Sequence, residues 1–336
     1  MTKNPLPLAI SIGEPAGIGP DLILALYARK SKNPLPAFIV YGNVDFLRKR
    51  AQTLNLDIAI CPCAPSQAPE VFPVCLPVSD LGHDVANTPG AVSAPGTKMA
   101  LESISRATED CLNGICAALV TAPINKAAAK QVGFEFPGHT EFLAHLCAKE
   151  TAAPIPIMML AHEQLRVVPL TIHVALRAVP DMISQTMIEQ HVGIIARDLT
   201  NRFGIKNPKI AITGLNPHAG EEGAFGLEDR DRIIPAIKAL RAKGIDAMGP
   251  VPADTAFHLP NWEKSDVVVA MYHDQALIPI KTVAFDEAVN ITLGLPVVRT
   301  SPDHGTAYDL AGAGTASTKS MQAALLEAHR LSGDQS

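Results

Sequence analysis

Three histidines follow the ends of predicted strands, and their shared position points to a metal. His173, His218 and His273 each come shortly after a short apolar run. Ligands of open α/β sheets bind beyond the carboxyl ends of the strands. Three imidazoles with one open coordination position make a catalytic divalent-metal site, for which zinc is a natural occupant. Any one of these histidines alone is better explained by backbone hydrogen bonds, but three in the same topological position favour the metal.

Basic and polar side chains suited to an anion form a second pattern. Lys281, Asn290 and Arg299 flank the stretch 291–296, and Lys126 follows another predicted strand. Arginine clamps a carboxylate or phosphate with paired donors, whereas lysine acts as a point charge. Because scattered bases are usually only solvated, this pattern is a weak signal by itself.

Two glycine-rich stretches complete the candidate chemistry. The string GEPAGIGPD at 13–21 follows a strand and opens a helix, where free backbone N–H groups favour an anion. It is not the G-x-G-x-x-G fingerprint of dinucleotide-binding proteins. A tight strand-to-helix turn explains it equally well. The longer string DHGTAYDLAGAG at 303–314 is too polar and specific for a simple turn.

The elements that must position these residues alternate along the chain. Short β-rich runs and helical runs succeed one another, which predicts an α/β protein with a largely parallel sheet. No clean linker separates two domains, so two interwoven lobes are expected. The predicted strands are 8–12, 37–41, 115–120, 155–160, 166–171, 209–213, 266–271 and 291–298, and the predicted helices are 21–29, 44–53, 97–112, 181–203, 229–243 and 315–331.

Composition restricts the classes of protein that the chain can represent. Its 336 residues suffice for a large core, and 28 basic against 33 acidic residues give a net charge of −5, which argues against a nucleic-acid binder. No apolar run is long enough to span a bilayer, and the N-terminus has no signal-peptide pattern, so a cytoplasmic protein without membrane partners is expected. The six cysteines are scattered and are expected to be reduced.

A series of ordered motifs resembles one enzyme family across nearly the whole chain. GEPAGIGPD, GHTEF, LNPHAGE, PADT, YHDQ, VNITLGLP and RTSPDHGTA, between residue 13 and about 314, are similar to motifs of the 4-hydroxythreonine-4-phosphate dehydrogenases of pyridoxal phosphate biosynthesis. The GIGP turn and the 303–314 segment also resemble the isocitrate and isopropylmalate dehydrogenases. The resemblance implies a two-lobed α/β/α fold with the active site in the cleft between lobes. The nucleotide lobe would be 1–130 plus 280–336, and the metal and dimer lobe 131–279.

The resemblance also implies a role for each matching residue. The family is a homodimer with active sites at the subunit interface, so one metal histidine is expected from the partner. Gly305 and Thr306 would lie at NAD+ or NADP+, and the metal would be Zn2+, Mg2+ or Co2+. The implied metal ligands are His173, His218 and His273, and the implied substrate contacts are His139, Thr140, Lys281, Asn290 and Arg299.

The implied reaction is oxidation of a phosphorylated hydroxy amino acid. The C3 hydroxyl of 4-phosphooxy-L-threonine would pass a hydride to the nicotinamide, and the resulting 3-oxo acid would lose CO2 to give 3-amino-2-oxopropyl phosphate. Asp254 is a candidate proton-transfer group, with an N-cap or turn role as an equal alternative. The acidic stretch 283–288 and Ala122 depart from the family pattern, and relatives acting on 4-phospho-D-threonate share many motifs.

Two rival classes of function remain open from the sequence. A metal-dependent hydrolase or lyase would use the same three histidines to activate water and would need no nicotinamide. A non-catalytic ligand sensor would show an incomplete site. The segment 303–314 argues against the first rival, and the filled ligand positions argue against the second.

Overall fold

A computed structural model describes residues 5–148 and 153–333 of the chain. The chain forms two compact units. Of the described residues, the first unit comprises 5–148, 153–154 and 295–333, and the second unit comprises Ile155–Gly294. The lobe boundaries drawn from the sequence, at 130 and 280, lie earlier in the chain than these. The α/β class and the division into two units agree with the expected fold.

The strands of the first unit are parallel throughout, in the order β3-β4-β2-β1-β5-β12. Parallel strands are buried on both faces, so they appear in the sequence as continuous apolar runs; β1 and β2 are buried at every position. The elements are β1 (Leu8–Ser11), α1 (Gly19–Ala28), β2 (Phe38–Gly42), α2 (Val44–Thr53), β3 (Ile60–Pro62), α3 (Ala68–Val71), β4 (Leu76–Asp80), α4 (Ala94–Leu112), β5 (Leu119–Thr121), α5 (Lys126–Gln131), α6 (His139–Leu146), β12 (Arg299–Pro302) and α12 (Lys319–Gly333).

The second unit has a mixed sheet in the order β11-β6-β7-β10-β8-β9. The strand β6 runs antiparallel to both of its neighbours, and the remaining pairs are parallel. The carboxyl ends of β7, β10 and β8 therefore meet at one edge of this sheet. The elements are β6 (Ile157–Ala161), β7 (Arg166–Thr171), α7 (Val179–Met182), α8 (Gln185–Asn201), β8 (Ile210–Thr213), α9 (Ile234–Ala242), β9 (Ala247–Val251), α10 (Ala253–Ala256), β10 (Val267–Tyr272), α11 (His273–Ala284) and β11 (Val289–Leu293).

The long helix predicted over 181–203 is wrong, because two helices occupy this stretch. Ile183 is extended, and Ser184 accepts a hydrogen bond from the backbone N–H of Met187 as the N-cap of α8. A serine that caps the following turn satisfies an otherwise free donor, which favours a new helix start over a continuous helix.

The expectation that all six cysteines are reduced is also wrong. Cys61 and Cys75 form a disulfide, with a Cα–Cα distance of 6.0 Å. The parallel strands β3 and β4 bring the two residues together, with Cys61 opposite Pro77. The other four cysteines are free thiols. The pairing depends on the register between two short strands that the sequence did not predict.

Within the described residues, no helix combines the length and the apolar character needed to cross a bilayer.

Candidate functional site

His139 is the first residue of α6 and lies in a shielded, polar position. The preceding Gly138 is an extended N-cap without a side chain, so the helix begins at the histidine itself. The His139 Nε2 atom is inaccessible to solvent and has no hydrogen-bond partner in the described structure. Burial of the ring, together with the charges of Arg299 and Lys126, lowers its pKa to about 3. His139 is therefore neutral at physiological pH and keeps one polar atom available for a ligand.

Arg299 opens β12 beside the end of β5 and is almost completely buried. Its side chain donates to the Thr121 hydroxyl from Nε at 3.1 Å and from Nη2 at 2.6 Å. Burial lowers the pKa of the guanidinium to about 10, so the group remains charged at neutral pH. Thr140 is the next residue of α6 after His139 and is half-buried. Three of the predicted substrate contacts thus lie in the first unit.

Lys126 joins this group from the start of α5. A Cβ atom added at Gly138 would lie 3.4 Å from the Lys126 Nζ atom, which places the ammonium group at the start of α6. We call Lys126, His139 and Arg299 the anion cluster. Two fixed positive charges and a neutral imidazole suit a phosphate or a carboxylate.

The two glycine-rich stretches of the first unit pack against each other. The Ile18 N–H donates to the Thr306 carbonyl at 2.9 Å, and a Cβ atom at Gly17 would lie only 2.7 Å from that oxygen. The Gly312 N–H donates to Asp21 Oδ2 at 2.6 Å. Nothing lies within 4 Å of the Cβ position of Gly305, so its backbone is open to a ligand. Glycines let a ligand approach the backbone closely, so this open segment has room for a nucleotide.

A buried arginine explains why the GIGP turn keeps its shape. Arg50 of α2 is fully buried, and it donates to Asp21 Oδ1 at 2.5 Å and to the Pro15 carbonyl at 2.6 Å. Its Nε donates to Asn87 at 2.6 Å. Because a buried charge needs a partner, this network rigidifies the turn. No role for Arg50 is predicted from the sequence, since nothing local distinguishes it from the surface bases of an amphipathic helix.

His173 and His273 lie close together in the second unit. Their ring centroids are 5.8 Å apart, and both line a cavity of about 470 Å3 with Tyr272. They follow adjacent parallel strands, in which Thr171 is opposite Tyr272. The His273 Nδ1 atom lies 2.7 Å from Asp274 Oδ1, an interaction that orients metal-binding histidines in many proteins. We call His173 and His273 the imidazole pair.

His218 lies in a different cavity of the same unit. It lines a space of about 280 Å3 with Asp254, Tyr272 and Gln275, so Tyr272 borders both histidine cavities. Asp254 is the second residue of α10, whose N-cap is Pro252, and this excludes the N-cap role for the aspartate.

The loop that carries His218 has an unusual backbone held by one buried carboxylate. His218 has a φ of 54°, and the next four residues also have positive φ. Such left-handed conformations are unfavourable for most residues and persist only when the surroundings hold them. Asp229 is buried and accepts hydrogen bonds from the N–H of Leu215 at 2.9 Å and of Asn216 at 3.2 Å. Asp229 therefore anchors the start of the loop.

Gln275 links the strand ends that precede two of the histidines. Its Oε1 accepts from the Met271 N–H at 2.7 Å and from the Thr213 hydroxyl at 2.8 Å, and its Nε2 donates to the Gly214 carbonyl at 2.9 Å. The Thr171 hydroxyl donates to the Met271 carbonyl at 2.8 Å, which ties in the third strand end. Gln275 is part of the YHDQ motif, but the sequence predicts no role for it.

The predicted metal ligands are thus only partly assembled. Among residues 5–148 and 153–333, no group of three or more histidine, cysteine or acidic side chains is arranged to hold a metal ion. The imidazole pair places two potential nitrogen ligands on one cavity, which fits part of a divalent-metal site. The third predicted ligand, His218, stays outside this pair.

The remaining predicted contacts also lie in the second unit. Lys281 lines a cavity of about 390 Å3 with His273 and Asp274, and its ammonium group lies 5.3 Å from the Phe285 ring centroid. Asn290 is on β11 opposite Leu160 of β6 and is half-buried.

A family model, related sequences and solved structures all indicate the same protein family for this chain. A family model described as pyridoxal phosphate biosynthetic protein PdxA matches residues 35–328. The 4-hydroxythreonine-4-phosphate dehydrogenase of Methylorubrum populi is 50% identical over 334 residues, which cover 98% of this chain and 96% of that protein. The crystal structure of 4-hydroxythreonine-4-phosphate dehydrogenase from Klebsiella pneumoniae has 39% identity and a TM-score of 0.86, covering 97% of this chain and 99% of that chain. A terephthalate 1,2-cis-dihydrodiol dehydrogenase from Burkholderia xenovorans has 27% identity and a TM-score of 0.67, covering 98% of both chains.

Proposed function

Since this chain belongs to the family of the pyridoxal phosphate biosynthetic protein PdxA, we propose that it is a 4-hydroxythreonine-4-phosphate dehydrogenase dependent on NAD+ (or NADP+) and a divalent metal. The substrate would be 4-phosphooxy-L-threonine, oxidised at its C3 hydroxyl. The observation that carries this proposal is the anion cluster in a chain of this family, because a phosphorylated substrate needs such a site. We also propose a cytoplasmic homodimer.

The reaction transfers one hydride and one proton from the substrate. The hydride leaves C3 for the nicotinamide, and the hydroxyl proton passes to the Asp254 carboxylate, which lies in the cavity of His218. The 2-amino-3-oxo-4-phosphooxybutanoate formed is a β-keto acid; it loses CO2 and takes up a proton at C2 to give 3-amino-2-oxopropyl phosphate. Proton removal favours hydride loss because an alkoxide releases hydride far more readily than an alcohol.

Each group of residues has a separate task in this scheme. We assign the substrate's anionic groups to His139, Thr140, Lys281, Asn290 and Arg299, and NAD+ to the backbone at Gly305 and Thr306. His173, His218 and His273 would hold a Zn2+, Mg2+ or Co2+ ion, one of them reaching the site of the partner subunit. When bound, the metal supplies Lewis acidity that lowers the pKa of the hydroxyl. Solvent-shielded Arg299 and His139 keep the anion in one orientation.

The test of this proposal is NADH formation followed by its absorbance. Purified protein is mixed with NAD+ and 4-phosphooxy-L-threonine before chelation, after chelation, and after zinc is added back. We expect NADH only with metal present, together with release of CO2. Turnover that survives complete chelation would contradict the metal requirement.

Other substrates separate the rival activities. If NADH formed from 4-phospho-D-threonate but not from 4-phosphooxy-L-threonine, the protein would still be a dehydrogenase. The proposed substrate would be wrong. Product formation without any NADH or NADPH would reject the dehydrogenase and favour a metal-dependent hydrolase or lyase.

A further inference from the structure

We propose that Lys126 is a further substrate-binding residue, whose ammonium group binds the phosphate of the substrate together with His139 and Arg299. This inference rests on the proposed function and adds a residue to its anion site. Lys126 is exposed, whereas Arg299 is buried. The lysine would therefore place its positive charge at the solvent-exposed side of the site.

The backbone at Lys126 is held firmly in place. Asn125 is the N-cap of α5, with its Oδ1 accepting from the Ala128 N–H at 2.9 Å. The Asn125 Nδ2 atom donates to the Tyr308 hydroxyl at 2.6 Å, so the same residue is tied to the glycine-rich segment 303–314. The helix that carries Lys126 therefore starts at a residue that two side-chain hydrogen bonds hold in place.

The Lys126 side chain reaches the residue before His139. A Cβ atom at Gly138 would lie 3.3 Å from Lys126 Cε and 3.4 Å from Nζ. Glycine at position 138 thus leaves room for the ammonium group beside the start of α6. The Glu141 Oε2 atom lies 3.5 Å from the same point. The shielded His139 Nε2 atom, in the first residue of α6, has no hydrogen-bond partner among the described residues.

The balance of charge favours a phosphate over a carboxylate. A phosphate monoester carries about −1.5 to −2 charges at pH 7. Arg299 alone would leave part of that charge uncompensated, whereas Arg299 with Lys126 matches it. Burial, together with the two cations, lowers the pKa of His139, so the neutral ring can offer a hydrogen bond without adding a third positive charge. A carboxylate needs only one such cation.

The experiment compares Lys126→Met with Lys130→Met. Methionine keeps an apolar stem of similar length and removes the charge, and Lys130 is an exposed lysine one turn further along the same helix. The KM for 4-phosphooxy-L-threonine is measured, together with the dissociation constant of inorganic phosphate by calorimetry on the whole protein. We expect both to rise roughly 10- to 100-fold in Lys126→Met, which is the loss of one charge-assisted hydrogen bond. Lys126→Arg should recover most of the affinity, and Lys130→Met should behave as the wild type.

Two outcomes would overturn the proposal without contradicting the proposed enzyme activity. One is unchanged phosphate affinity and KM in Lys126→Met. Another is a shifted pH profile of kcat with unchanged phosphate affinity, which would mean that Lys126 acts only through His139. Failure of the proposed function looks different, because wild-type protein would then give no NADH while Lys126→Met still weakened phosphate binding.

Discussion

At the scale of single residues, the anion cluster shows how burial and neighbouring charge choose a protonation state. An exposed histidine has a pKa of about 6.5 and is partly charged near neutrality. Burial and two nearby cations lower the pKa of His139 to about 3, so the ring stays neutral throughout the physiological range. A neutral imidazole beside Arg299 can offer a hydrogen bond to an anion without adding a further positive charge to the anion cluster.

This lowered pKa predicts a specific dependence of stability on pH. Between about pH 6.5 and pH 3 the unfolded chain binds a proton at His139 that the folded chain does not bind, so acidification in this range favours unfolding. The contribution of the neutral His139 ring to the free energy of unfolding is fully present above the unfolded-state pKa. It is lost as the pH falls towards the folded-state pKa of about 3. We expect the melting temperature of the wild type to fall more steeply below pH 6.5 than that of His139→Gln, whose side chain does not titrate. His329→Gln, at an exposed position, is the control. Parallel curves for wild type and His139→Gln would reject the neutral, buried histidine.

At the scale of secondary structure, the ends of β7, β10 and β8 act as one platform. Thr171, Met271, Thr213 and Gly214 are joined by side-chain hydrogen bonds, of which Gln275 makes three. Each strand end leads into a loop or helix that carries one predicted metal histidine. The platform therefore fixes the backbone positions from which the three histidine side chains extend. Asp229 holds the start of the left-handed turn that carries His218.

Gln275→Ala should loosen this platform without destroying the fold. Outer groups that orient metal ligands are worth about 10- to 100-fold in metal affinity. We therefore expect zinc affinity, measured by competition with a chromogenic chelator, to fall about tenfold and turnover to fall with it. Gln185→Ala, which removes a surface hydrogen bond on α8, is the matched control, and His218→Ala marks the effect of losing a ligand. Wild-type zinc affinity in Gln275→Ala would show that the strand ends hold their positions without this residue.

At the scale of the whole molecule, the two units carry different chemistry. The anion cluster and the packed glycine-rich stretches belong to the first unit, while the imidazole pair, His218 and Asp254 belong to the second. The disulfide between Cys61 and Cys75 also lies in the first unit, where it joins the neighbouring strands β3 and β4.

Ligand-specific protection from hydrogen exchange should follow this division. Inorganic phosphate should slow exchange in the peptide 138–146, and zinc should slow exchange at 171–176 and 214–223, since bound groups stabilise the segments that hold them. The measurement is mass spectrometry of each binary mixture of whole protein and ligand. Phosphate protection that is confined to the second unit would contradict the assignment of the anion cluster.

The sequence by itself determined the α/β class, most of the apolar strands, the family and the strand-end position of the three histidines. These features depend on local periodicity and on short motifs, both of which can be recognised in the sequence. Its prediction of α2 matches the structure at both ends. The tertiary structure alone decided which distant residues meet. Arg50 with Asp21, Cys61 with Cys75, Gln275 with Thr213, and Lys126 with Gly138 are contacts that no local pattern encodes. The physical reason is that a buried charge, a disulfide or a ligand site depends on the register and packing of segments far apart in the chain, whereas helix and strand patterns depend only on near neighbours.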